Sequence, residues 1–391
     1  MHGVFTPLPS ESYRAPARTS GDGFESDPQR TRRVLRTRPA QSPLHRFLSG
    51  SAGLFRGDDY PQRLAGEAAG TQHPVTTGRR IAVVGTRGGA GKTTVAALLA
   101  RIYAAMRSDT IAAVDLAPGA GTLGLRLGVP HAPPLETAAA RLQAGTPESL
   151  RGLAALLSVA EPGNLLVAGR RAPENRGGEK PSHPAATVWV PAGPHAPPEW
   201  TPGGLPDAGG PGPTRGPGQT RSARNIPWEV PDGASRMSRV ISRYCPVTIF
   251  DCGSGLTDPA TLWAAGHSHV AVFVTPASVA GLDDALEYAH AWRRNPGHAA
   301  TPLLVLVVQP ASDRYFTASR EADRLSLAGV PALHLGRDRH LAAGVEVSPP
   351  LLSRRTRLEA VTVASRVLTA AVSSPGPQLP AEQNTHGNLR L

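Results

Sequence analysis

Residues 79–101 read RRIAVVGTRGGAGKTTVAALLAR. An apolar run, a glycine-rich turn and a helical pattern follow one another without interruption. Ile81, Ala82, Val83 and Val84 form a short β-prone run of the kind that is buried on both faces of a sheet. Gly85 ends it. Gly88, Gly89 and Gly91 allow backbone conformations that a side chain would forbid, so several N–H groups, Ala90's included, can turn into one hollow. Lys92 adds a point charge there, and Thr93 adds a hydroxyl suited to a divalent cation. From Thr94 onward, Val95, Leu98, Leu99, Ile102 and Met106 recur at helical spacing. The helix therefore starts where the loop ends, and its N-terminus faces the same anion. A glycine turn without a ligand has no need of the lysine. Only Lys92 and Lys180 are lysines among the 41 basic residues, so the choice at this place is not compositional accident.

Two further apolar strands deliver acidic residues. Residues 111–114 lead into Asp115, and residues 247–250 lead into Asp251. Carboxyl ends of strands are where open α/β sheets gather ligand chemistry. Asp251 fits the pattern of an apolar strand that brings a carboxylate to Mg²⁺ beside a phosphate loop. Gly253 and Gly255 follow it as a candidate switch that answers to a terminal phosphate.

The loop T-R-G-G-A-G-K-T-T, Thr86 to Thr94, resembles the deviant Walker A loop of the MinD/ParA ATPases, K-G-G-x-G-K-[ST]. The resemblance covers about residues 79–168 and 233–372. It implies Mg·ATP held by Gly88, Gly89, Ala90, Gly91, Lys92, Thr93 and Thr94, with Mg²⁺ shared between Thr93 and Asp251. The family's signature lysine, which crosses an ATP-bound homodimer, is here Arg87; arginine can also clamp phosphate oxygens. The family's V-D-x-D-P switch reads V-D-L-A-P. Asp115 matches its first aspartate, and Ala117 stands where the water-orienting aspartate belongs. Lys92, Asp115 and Arg87 are thus the candidate catalytic residues, with hydrolysis expected to be slow. Gln309 stands where many relatives carry an asparagine against adenine. The A-G-T-L-G stretch is similar to an actinobacterial branch of MinD-like ATPases associated with type VII secretion.

Strand and helix patterns alternate along the rest of the chain: strands at 164–168, 269–274, 303–308 and 332–335, and helices within 133–159 and at 234–243, 257–265, 279–292, 316–328 and 357–371. The fold expected is α/β, a doubly wound, mainly parallel sheet with helices on both faces, as in P-loop NTPases. Residues 1–78 are Pro/Arg-rich without periodicity and read as a disordered tail. Within it, residues 30–38 carry five arginines in nine and suit either nucleic acid, acidic lipid or plain solvation, while residues 44–55 are apolar enough to dock somewhere. Residues 170–232 hold 14 prolines and 10 glycines and read as a disordered insertion inside the domain, 79–372. Residues 373–391 read as a polar tail.

The net charge of +11 permits DNA or acidic membrane as partner, and an arginine-heavy composition accounts for it equally well. Cys245 and Cys252 sit at opposite ends of one strand, too far apart to bridge. No apolar run approaches the length of a membrane span and no signal pattern opens the chain, so a cytoplasmic place is expected. The last residues lack the apolar and basic faces of a MinD-type membrane helix. His267 and His269 have no completing ligands in sequence and read as structural. Three activities stay open at this level: an ATPase switch that positions or assembles a cargo, a scaffold that binds ATP without turning it over, and a DNA-binding partition ATPase.

Overall fold

In the computed structural model, residues 59–117, 121–169, 230–255, 258–295, 298, 300–311 and 315–377 are described. The arginine patch at 30–38, the apolar segment at 44–55 and most of the 170–232 insertion lie outside them.

Eight strands form one sheet: β1 Arg79–Val84, β2 Ile111–Asp115, β3 Ser158–Ala160, β4 Leu165–Ala168, β5 Val247–Asp251, β6 Val270–Pro276, β7 Leu303–Val308 and β8 Ala332–Leu335. Their order is β3-β4-β2-β5-β1-β6-β7-β8. Every pairing is parallel except β3 with β4. The helices are α1 Tyr60–Thr71, α2 Lys92–Met106, α3 Leu123–Arg126, α4 Leu135–Ala144, α5 Leu150–Leu156, α6 Val230–Tyr244, α7 Pro259–His267, α8 Val279–Arg294, α9 Ala318–Leu327, α10 Arg339–Ala342 and α11 Arg354–Ser373.

Strand periodicity sorts the core into two layers. Ile81 and Val83 of β1 face α2, α3 and α11. Ala82 and Val84 face the opposite layer, which holds α4 to α9. A parallel sheet covered on both faces buries nearly every strand position, and β1, β2 and β5 are buried throughout apart from Arg79. The chain leaves β1 toward β2 on one side and reaches β6 on the other. The reversal opens a crevice at the carboxyl ends of β1, β2 and β5.

Three expectations need correction. The tail assigned to 1–78 includes a helix, α1, packed on α11. Of its apolar residues, Leu64 and Ala68 pack with the α11 layer. Gly70 lets the two backbones approach, since a Cβ there would lie 2.0 Å from Ser365 Oγ. Arg354 stacks its guanidinium 4.3 Å from the Tyr60 ring centre. The helical pattern through 159 stops earlier, because Ser158–Ala160 is an antiparallel edge strand. Gly163, at φ 113°, turns the chain back into β4. At the far end of the insertion, α6 already begins at Val230.

Candidate functional site

The crevice is built around the 85–91 loop. Gly85 is squeezed between β1 and β6, where a Cβ would sit 2.6 Å from the Val274 carbonyl oxygen. Gly89 and Gly91 have φ of 74° and 93°, a region that costs an L-residue with a side chain. Gly91 caps α2, and Lys92 is its first residue. The free N–H groups of that first turn therefore open on the loop. A cavity of about 680 Å³ lies over them. It is lined by 89–95, by Ala117, Gly121, Thr122 and Arg126, by 252–254, and on the far side by 308–310 and 335–338.

Lys92 is buried, and its Nζ donates to the Arg87 carbonyl at 2.8 Å and to Ser254 Oγ at 2.9 Å. Burial lowers its pKa, and the Asp251 carboxylate works against that. The ammonium thus spans from the loop to the segment after β5. Ser254 lay unremarked within the glycine pair read as a switch. Its role depends on a meeting of residues 162 positions apart.

Asp251 is fully buried at the end of β5, level with Asp115 on β2. Neither carboxylate oxygen makes a well-formed hydrogen bond. Burial, followed by the Asp115 charge, pushes its pKa up to about 8, while the Thr93 hydroxyl, Lys92 and Arg126 pull it down. A buried carboxylate with both oxygens orphaned beside a threonine hydroxyl is a donor set that suits a hard divalent cation. No group of three or more His, Cys, Asp or Glu side chains that could hold a metal occurs among the described residues. A cation here would need water or phosphate oxygens to fill its shell.

Asp115 is used differently from the expectation. It is buried, and its Oδ1 accepts the Ala117 N–H at 3.0 Å while its Oδ2 accepts the Leu123 N–H at 3.2 Å. Both oxygens pin the segment between β2 and α3. Asp115 does not line the cavity, and Ala117 does. Gly121 passes so close that a Cβ would lie 2.2 Å from Asp115 Oδ2.

Arg87 also turns away from the cavity. Its Nε and Nη2 bond Asp284 on α8 at 2.7 and 3.1 Å, and Thr86 Oγ1 donates to the same carboxylate at 2.7 Å. The guanidinium holds the Asp284 carboxyl below its usual range. Gln309 closes its own loop: its Nε2 donates to the Ala311 and Phe316 carbonyls and its Oε1 accepts from the Ala318 N–H. It lines the cavity, but its amide is already committed. His269 Nδ1 accepts the Arg80 backbone N–H at 3.1 Å, which gives it a structural use. Cys245 and Cys252 are buried thiols.

Residues 81–333 match the family model described as the CobQ/CobB/MinD/ParA nucleotide binding domain. The chain belongs to this family. Over 286 residues it is 27% identical to the ESX-1 secretion-associated protein EspI of Mycobacterium tuberculosis. That match takes in 70% of this chain and 34% of the relative, so the chain spans about a third of the length of the curated relatives it matches. Among solved structures it is similar to a ParA family ATPase from Chlorobium tepidum, with 16% identity, a TM-score of 0.47, and coverage of 73% of this chain and 98% of that one. It is also similar to the cell division ATPase MinD of Pyrococcus furiosus, with 18% identity, a TM-score of 0.46, and coverage of 73% and 97%. No helix among the described residues is long and apolar enough to cross a membrane.

Proposed function

We propose that the chain is an Mg·ATP-binding switch that hydrolyses its nucleotide slowly and uses the bound state to position or assemble a cellular cargo. The observation that carries this is the orphaned Asp251 carboxylate beside Thr93, directly beneath a loop whose amides and Lys92 converge on one cavity. The loop amides and Lys92 would hold the phosphates. Thr93 and Asp251 would hold Mg²⁺, which would supply charge neutralisation to the phosphates. Arg87 would contact phosphate across a homodimer only after leaving Asp284. That makes its release the step that links nucleotide to assembly.

Slow turnover follows from the switch segment. Ala117 has no group to orient water, and both Asp115 oxygens are engaged by backbone N–H groups. The same observation favours a second reading, a scaffold that binds ATP without turning it over. The type VII secretion apparatus is the cargo we favour, since a relative is named as ESX-1 secretion-associated.

Calorimetry with Mg·ATP should give binding that Lys92→Ala abolishes; heat that is absent, or equal in both proteins, would remove the nucleotide reading. Single-turnover γ-phosphate release then separates the two readings. Faster release by Ala117→Asp from a slow but measurable wild-type rate is expected of the switch, and no wild-type release over many hours leaves the scaffold.

A further inference from the structure

One cationic side chain of the cavity has no role in the family motifs. Arg126, at the end of α3, is one of its lining residues. Its Nε and Nη1 are buried and have no hydrogen-bond partner among the described residues. Its backbone is fixed, because the Arg126 carbonyl accepts the Val347 N–H at 2.8 Å. The guanidinium and Asp251 interact electrostatically, each favouring the other's charged form. Burial opposes the cation.

The side chain is half-buried, and its two occluded nitrogens are costly to leave unpaired; an anion beside the guanidinium would offset that cost. Asp251 alone does not compensate it. That carboxylate is shared with Lys92, and on the reading above it is also the cation's ligand. With a divalent ion held by that carboxylate, Arg126 would face an added positive charge and would need another acceptor. A phosphate chain in the cavity would be that acceptor. An arginine held in the same chain also offers what Arg87 cannot while it is clasped by Asp284.

We propose that Arg126 is a further phosphate-binding residue of the nucleotide site, a cation supplied in cis from the segment that follows the altered switch. This rests on the nucleotide reading. It also implies a trade: the side chain is costly in the empty protein and is repaid by the ligand.

The test measures affinity for Mg·ATP and Mg·ADP, together with the melting temperature of the nucleotide-free protein, for the wild type, Arg126→Gln, Arg126→Lys and Lys92→Ala. Arg126→Gln should lose about tenfold or more in affinity, as expected for a charge-assisted hydrogen bond. Its nucleotide-free melting temperature should be equal to or above that of the wild type. Arg126→Lys should recover part of the affinity. Loss confined to Mg·ATP assigns the contact to the γ-phosphate, and equal loss assigns it to the inner phosphates. Unchanged affinity for both nucleotides overturns the proposal, and so does an affinity loss that tracks a lower melting temperature in both Arg126 variants. Should the wild type bind neither nucleotide, the nucleotide reading itself has failed and this proposal falls with it; binding that Lys92→Ala abolishes and Arg126→Gln leaves intact sinks the proposal alone.

Discussion

His269 shows how a single side chain can carry a pH signature. It is buried, its Nδ1 accepts from the Arg80 backbone, and burial together with the Arg80 and Arg79 charges pushes its pKa down to about 3. The folded protein keeps the ring neutral, whereas the unfolded chain takes up a proton below about 6.5. Its contribution is therefore fully present above that value and is lost progressively as pH falls toward 3. The loss at pH 5 is about 2 kcal/mol. Asparagine offers an acceptor near the same place and does not titrate. Denaturant midpoints at pH 7 and pH 5 should thus fall less for His269→Asn than for the wild type; equal falls would contradict the assignment. Gly121 is constrained by space. A methyl there meets the Asp115 carboxylate at 2.2 Å, with both oxygens already bonded. Gly121→Ala should destabilise by about 1–3 kcal/mol, read by urea unfolding, because the pinned segment has to move.

Among the elements, the junction of α2, β2 and β4 depends on one amide. Asn164 Nδ2 lies 3.1 Å from each of the Ala104, Arg107 and Asp109 carbonyls. It ties the last turn of α2 and the entry to β2 to the start of β4. Asn164→Ala leaves part-buried carbonyls without this donor and should cost about 1–2 kcal/mol in urea unfolding. A cost below a few tenths would mean that water replaces the amide without penalty. The α1–α11 contact is broader. It rests on Leu64, Ala68, the close approach at Gly70 and a stacked arginine, all at the surface of the α11 layer.

Over the whole molecule, the cavity joins five distant parts of the chain: the loop after β1, the segment after β2, the segment after β5, the segment after β7 and the segment after β8. A ligand that touches all five should report on global stability. At a concentration of a hundred times its dissociation constant, Mg·ATP should stabilise the wild type by about 2.7 kcal/mol. Lys92→Ala should show no such rise in melting temperature, and an equal rise would place the ligand elsewhere.

The stretch 79–101 was sufficient for strand, loop and helix, because each of those states is written in local terms: β-branched apolar residues, glycines where side chains are forbidden, and helical spacing after Lys92. The place of Asp251 at the carboxyl end of a buried strand was legible for the same reason, an apolar run ending in a carboxylate. The likeness of residues 86–94 to one family's loop extended this to a doubly wound sheet. Local pattern could not reveal α1, whose sparse apolar face gains meaning only against α11. Nor could it foresee that Asp284, almost two hundred positions away, clasps Arg87. The inward turn of Asp115 and the half-buried Arg126, with its unpaired Nε and Nη1, are likewise products of packing. Chemistry of this kind depends on which charges the sheet order brings within a few ångströms of one another, and that is a property of the folded chain alone.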